Sequence, residues 1–215
     1  MIKYPPIEVI NQFKKTFGAM SVVEGLALYN ICLQAPKGEW VELGSHRGKS
    51  STMLAAAIEE GSSLHLVEPE FEDKEWQDEV VENVANFENL SLVITYPDYS
   101  TNVLPTIFKD LSFLFVDSGN HGEEIVQSEK PLYENKIVHG GIIAFHDYGE
   151  KSQFTAVKKA YEELVNTGNY EPIEINWNEI FDYVAKNNLE EGNNSWHLYP
   201  QLPHPPNFIG ALRRK

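Results

Sequence analysis

Apolar residues along this chain fall into two kinds of run that alternate. Short, nearly continuous stretches sit at 39–43, Ser63 to Glu68, Leu90 to Thr95, Ser112 to Asp117 and Gly141 to Phe145. Each is bounded by Gly, Pro, Asn or Asp, as buried strands are. Between them, apolar positions recur at helical spacing. Pro5-Pro6 opens a helix to about Lys15, and a second from about Val22 carries Val22, Leu26, Tyr29 and Leu33. Further helices are expected from Lys49 to Glu60, capped by Gly61, and from Lys74 to Phe87. Others are expected near 102–109, over about 122–138, and from about Phe154 to Val165. The runs 171–177 and 179–186 are close enough to form a closing hairpin. Residues 1–186 then make one domain, with 1–35 as a helical cover and 187–215 as an irregular tail rich in Asn, Pro and Trp. Alternating strands and helices predict an α/β sheet with helices on both faces. Continuous apolar strands predict that the sheet is parallel.

Composition narrows this. Hydrophobic and charged fractions of 42% and 23% are those of a soluble globular chain. A net charge of −15 repels phosphate backbones, so nucleic acid is not an expected partner. The lone Cys32 has no intrachain partner, which fits a reducing, cytoplasmic location. No signal-peptide pattern and no membrane-length apolar run is seen, so no membrane association is expected.

The most informative stretch is Glu42-Leu43-Gly44-Ser45-His46-Arg47-Gly48-Lys49-Ser50. A buried strand, a glycine turn and a helix start bring free N–H groups and a positive dipole end close to a ligand. Such a turn receives a carboxylate, a phosphate or a hydroxylated sugar. The dinucleotide pattern G-x-G-x-x-G is absent. The P-loop pattern G-x-x-x-x-G-K-S/T is met only at Gly48-Lys49-Ser50, because Leu43 stands where its first glycine belongs. The pattern acidic-x-Gly-x-x-x-Gly fits in full. It resembles motif I of the class I S-adenosylmethionine (SAM) methyltransferases.

Ligands in parallel sheets bind beyond the carboxyl ends of the strands. Those ends here carry Glu42-Gly44, Glu68-Pro69, Asp98-Tyr99, Asp117 and His146-Asp147. Glu68 follows Gly48 by a spacing that suits a carboxylate accepting two ribose hydroxyls. Asp98 can accept an adenine amino group and Tyr99 can stack on the base, although Pro-Asp is also ordinary turn chemistry. Asp117 and Asp147 end successive strands and can share a divalent ion such as Mg²⁺. In the alternative, Asp117 serves the cofactor and Asp147 caps a helix. His121 and His146 lie near the same rim and can take a proton from a substrate hydroxyl. His197 and His204, in the tail, are read as structural.

Phe115-Val116-Asp117-Ser118-Gly119-Asn120-His121 and Gly140-Gly141-Ile142-Ile143-Ala144-Phe145-His146-Asp147-Tyr148 resemble the class I methyltransferases related to macrocin O-methyltransferase and the cephalosporin-hydroxylase-type proteins. The family turn "I-D-G-D-H" gains about one residue here. The front half is similar to catechol and caffeoyl-CoA O-methyltransferases, through Met20-Ser21-Val22-Val23-Glu24-Gly25 and Glu42 to Ser50. Their metal site ends in Asp-Asn, where this chain has Asp147-Tyr148, one ligand fewer. The resemblance implies a Rossmann-like sheet of seven strands in the order 3-2-1-4-5-7-6, with strand seven antiparallel. It implies SAM over Gly44, Ser45, His46, Gly48 and Ser50, with its ribose on Glu68 and its adenine near Asp98 and Tyr99. The implied activity is O-methylation of a small hydroxylated acceptor, such as a sugar, a glycosylated natural product or a phenol. Asp117, Asp147, His121 and His146 are the catalytic candidates, and Asp117 with Asp147 would hold any Mg²⁺. Two other classes stand beside it: a SAM-binding module without catalysis, and a nucleotide-binding enzyme with a degenerate P-loop. Aromatics in the first helix and in Trp196 to Phe208 fit either a substrate cover or the contacts of a homodimer.

Overall fold

The computed structural model describes residues 2–85, 87, 90–107, 110–119, 122–148, 155–189 and 209–215. Its strands are β1 (Glu39–Leu43), β2 (Ser62–Val67), β3 (Leu90–Tyr96), β4 (Leu111–Val116), β5 (Ile137–Phe145), β6 (Tyr170–Pro172) and β7 (Gly210–Arg214). They form a single sheet in the order β3-β2-β1-β4-β5-β7-β6. β1 to β5 pair in parallel, and β7 runs antiparallel to both β5 and β6. The order and the lone antiparallel strand are those the resemblance implied.

The helices are α1 (Ile7–Lys15), α2 (Val22–Cys32), α3 (Lys49–Ala57), α4 (Lys74–Ala85), α5 (Ser100–Val103), α6 (Glu123–Tyr133), α7 (Thr155–Asn166) and α8 (Trp177–Lys186). Side chains alternate across each strand, so two cores form. Trp40, Leu64, Leu66, Phe113, Phe115 and Ala144 face a core with α1, α2, α3, α4 and α8. Val41, Leu43, Val67, Leu114, Val116 and Phe145 face the other, with α5, α6 and α7. α2 is buried along nearly its whole length, because α1, α3 and α8 pack around it. Among the described residues no helix is long and apolar enough to cross a membrane.

Three expectations need correction. The run 179–186 is not a strand but most of α8. Ile180 is buried and Tyr183 and Val184 pack against the same core, which is helical spacing along one stripe. The seventh strand is instead Gly210–Arg214, inside the segment expected to be an irregular tail. That stretch is short and ends in two arginines, which hides its pairing with β5. α3 ends at Ala57, with Ile58 extended, so Gly61 lies in the turn into β2 rather than capping the helix. The tail residues 190–208, with Trp196, His197, His204 and Phe208, lie outside the described residues.

Candidate active site

Strand register aligns the expected residues in one row. Tyr96, Val67, Leu43, Val116 and Phe145 are level across the sheet. The next residue on each strand gives its N–H to its neighbour's last carbonyl. Glu68 donates to Tyr96 at 3.1 Å, Gly44 to Val67 at 2.9 Å, Asp117 to Leu43 at 2.9 Å and His146 to Val116 at 3.1 Å. Glu68, Gly44, Asp117 and His146 are therefore fixed side by side at the carboxyl edge by backbone bonds alone.

The turn after β1 uses left-handed backbone at Gly44 (φ 87°), His46 (φ 45°) and Gly48 (φ 82°). Gly48 is also the N-cap of α3. The His46 N–H donates to Glu68 Oε2 at 2.9 Å, and the Glu70 N–H donates to Glu68 Oε1 at 3.2 Å. Burial pushes the Glu68 pKa up, against the pull of those two N–H groups. Pro69 begins a single 3-10 turn that carries the chain away from the site. Beneath the turn, Glu42 is wholly buried. Its Oε2 accepts from the Ser51 hydroxyl, while its Oε1 and the neighbouring Ser45 Oγ have no hydrogen bond. Burial raises the Glu42 pKa to about 7, although the Ser50 and Ser51 hydroxyls favour its charged form. Asp98 and Tyr99 follow β3 at the outer edge. Asp98 Oδ1 accepts from Tyr99 N–H (2.7 Å) and Asn102 Nδ2 (2.8 Å), and Tyr99 is 66% exposed.

Lys49 decides against the P-loop reading. A P-loop lysine reaches forward to phosphates. Here Lys49 turns back to the N-terminal segment, where Nζ donates to the Thr16 carbonyl at 3.1 Å and lies 4.8 Å from the centre of the Phe13 ring. Arg47 turns the same way, stacked on Trp76 at 4.4 Å and paired with Glu79 at 2.8 Å. Both cations of the turn thus fasten α1 and α4 to it.

At the other end of the row, His146 is surrounded by acids. Its Nδ1 lies 3.2 Å from Asp117 Oδ1 and 3.5 Å from Asp147 Oδ2, and its Nε2 lies 3.7 Å from Glu24 Oε1. Asp147 reaches back because its backbone is left-handed (φ 61°). The Asp117 side chain is 23% exposed and that of His146 only 6%. Burial pulls the His146 pKa down, but Asp117 and Asp147 outweigh it and hold the ring charged well above the ordinary histidine range.

Residues 41–148, half of the chain, match the family model described as a methyltransferase domain. The chain belongs to that methyltransferase family. Its fold overlays on the O-methyltransferase TomG from Streptomyces achromogenes, solved with SAM, at a TM-score of 0.63 and 15% identity, covering 92% of this chain and 82% of TomG. It overlays on an O-methyltransferase from Bacillus cereus, solved with SAH, at 0.57 and 13%, covering 89% and 80%. A putative rRNA-methylase from Clostridium thermocellum overlays at 0.56 and 12%, covering 87% and 95%. No curated protein matches. The protein is a class I SAM-dependent methyltransferase, and the resemblance seen in its sequence was to the right superfamily.

The methyltransferase brings together Gly44, Glu68, Asp117, His146 and Asp147, as the strand ends suggested. One placement differs from expectation. Asp147 is not level with Asp117; His146 is, and Asp147 is one residue further on. The two carboxylates meet on His146 Nδ1, with one donor atom from each residue lying within 4.8 Å of the others. These three donors are close enough to hold a metal ion, but Mg²⁺ prefers oxygen donors, which only Asp117 and Asp147 supply. Tyr148 packs on Tyr161 at 4.2 Å. His121 lies outside the described residues.

Two buried acids escaped the strand-end reading because they sit on helices. Glu24 belongs to α2. Glu129, on α6, accepts from the Ser100 and Ser118 hydroxyls and ties the turn after β3 to the turn after β4. Glu24 was visible only as part of the Met20–Gly25 resemblance, and Glu129, in the polar helix α6, carried no signal of its own.

Proposed function

We propose that this methyltransferase transfers the SAM methyl group to a hydroxyl oxygen of a small acceptor, such as a sugar, a glycosylated natural product or a phenol. The observation that carries this is the buried His146 clasped by Asp117 and Asp147 at the end of β5. A histidine–carboxylate pair suits removal of a hydroxyl proton. The net charge of −15 favours a small molecule over RNA, although this fold is shared with a putative rRNA-methylase from Clostridium thermocellum and an rRNA methylase from Streptococcus thermophilus. The buried Cys32 thiol suits a reducing compartment.

Gly44, Ser45, His46, Gly48 and Ser50 would receive the methionine end of SAM, with Glu42 beneath them. Glu68 would accept the ribose hydroxyls through its remaining lone pairs. Pro69, Asp98 and Tyr99 would border the adenine. Bound there, SAM supplies a methyl group on a positively charged sulfur. The protein's own part is to hold the acceptor oxygen, exclude water and manage its proton. Asp117, the more exposed member, receives the hydroxyl as a hydrogen bond. His146 stands behind it at 3.2 Å and shares the proton. His146 takes that proton only in its neutral form, which Asp117 and Asp147 shift to higher pH. Asp147 keeps the ring in place.

Methyl-labelled SAM offered with a panel of sugars, glycosides and phenols tests the proposal. Label should pass to oxygen in at least one hydroxylated class. Transfer only to RNA, or SAM binding with no transfer to anything in a broad acceptor screen, would count against it.

A further inference from the structure

Glu24 reaches the acid–imidazole cluster from a helix that the strand-end pattern does not include. α2 begins after Ser21, its N-cap. The Ser21 N–H donates to Glu24 Oε2 at 2.9 Å, and the Glu24 N–H donates to Ser21 Oγ at 3.2 Å. This reciprocal box satisfies two donors at the helix start and occupies one carboxylate oxygen. A capping acid needs no burial, yet Glu24 is completely buried. Its second oxygen, Oε1, has no hydrogen bond and lies 3.7 Å from His146 Nε2. Leaving a buried carboxyl oxygen unsatisfied is costly, and an approach of about 0.5 Å brings this pair into hydrogen-bond range. The opposite ring nitrogen, Nδ1, is the one that meets Asp117 and Asp147.

We propose that Glu24 is a positioning residue for His146, accepting the Nε2–H so that Nδ1 is the nitrogen left to exchange a proton with Asp117. This rests on the reading of His146 as part of the methyl-transfer site. A partner on one ring nitrogen sets which tautomer the neutral ring adopts and fixes the ring plane. The capping box locks the carboxyl, so the start of α2 sets the orientation of a side chain at the end of β5. Burial raises the Glu24 pKa to about 7 against the pull of His146, consistent with a carboxyl held close to the ring rather than in water.

The test is nuclear magnetic resonance of the full chain labelled with ¹⁵N-histidine. The His146 ring is identified as the signal lost in His146→Gln. At a pH where the ring is neutral, its proton should sit on Nε2 and exchange slowly with water. Glu24→Gln keeps a residue type that serves in the capping box, so it should fold with an unchanged melting temperature. It should nonetheless displace both ring nitrogen shifts of His146, leaving the other histidines in place. A His146 proton on Nδ1 in the wild type, or unmoved His146 shifts in a folded Glu24→Gln, overturns the proposal. If Glu24→Gln does not fold, the wild-type tautomer decides alone. Calorimetry with SAM on the same wild-type sample separates the two readings. Absence of SAM binding would undermine the functional proposal and leave the ring result intact.

Discussion

The backbone carbonyl of Asp117 occupies the space in which a side chain on Gly44 would begin. A Cβ built on Gly44 would lie 2.7 Å from the Asp117 carbonyl carbon and 3.0 Å from Ser118 Cα. Gly44 also has φ 87°, a region that side chains resist. Even Gly44→Ala must therefore push β1 and β4 apart at the cofactor edge. The expected loss is roughly 2–5 kcal/mol of stability, from left-handed strain and overlap together. Urea unfolding measures it, and SAM affinity should fall in parallel. A variant as stable as the wild type with unchanged SAM affinity would show that this turn is not the constrained cofactor site.

Glu68 has two duties, and they separate by substitution. Glu68→Gln keeps an acceptor for the His46 N–H but loses the charge-assisted bonds offered to a ribose. SAM affinity should weaken by about 1.5–3 kcal/mol, with little change in unfolding midpoint. Titration calorimetry with SAM and with methionine distinguishes the ribose from the rest of the cofactor. Equal weakening toward both ligands would contradict the ribose assignment.

Glu42 makes a pH-dependent contribution with a definite sign. Burial raises its pKa from 4.5 to about 7 in the fold. A group raised on folding contributes stability below its unfolded value and loses it as pH climbs through the folded one. Glu42→Gln should therefore gain stability relative to the wild type between pH 4.5 and 7, by roughly 3 kcal/mol at the upper end. Denaturant melts of both proteins at pH 5 and pH 8 provide the comparison. A difference that stays flat across that window would mean that Glu42 is not held in its neutral form.

His146 governs the expected rate profile. Asp117 and Asp147 hold its proton well above the ordinary histidine range. Turnover with an accepted hydroxyl should rise with pH, with its midpoint above about 6.5, the usual histidine value. His146→Gln should lower kcat by about 10²–10⁴-fold and remove the inflection. The stability term has the opposite direction: the ion pairs of His146 stabilise the fold at low pH and fade as pH rises through its folded value. Because the two aspartates meet on the ring, EDTA should leave turnover unchanged. Loss of activity in EDTA with recovery in Mg²⁺, alongside full activity in His146→Gln, would reverse this assignment.

The sequence by itself determined what local chemistry fixes. Apolar runs ending in Gly44, Glu68, Asp117 and His146 marked both the strands and the residues at their carboxyl ends, because strand burial and glycine turns leave a nearest-neighbour signature. It did not determine which short run was the last strand. Residues 179–186 carry apolar pairs that suit either a helix or a strand, and only packing against α2 decides for helix. Gly210–Arg214 becomes a strand because β5 and β6 offer it backbone partners on both sides. In the site, Asp117 and Asp147 were legible as neighbours, but the insertion of His146 between them follows from register and from the left-handed turn at Asp147. Glu24 is a capping-box acid in sequence and a partner of His146 only in space. Strand ends are local, whereas the approach of α2 to β5 depends on how the whole helical layer packs on the sheet.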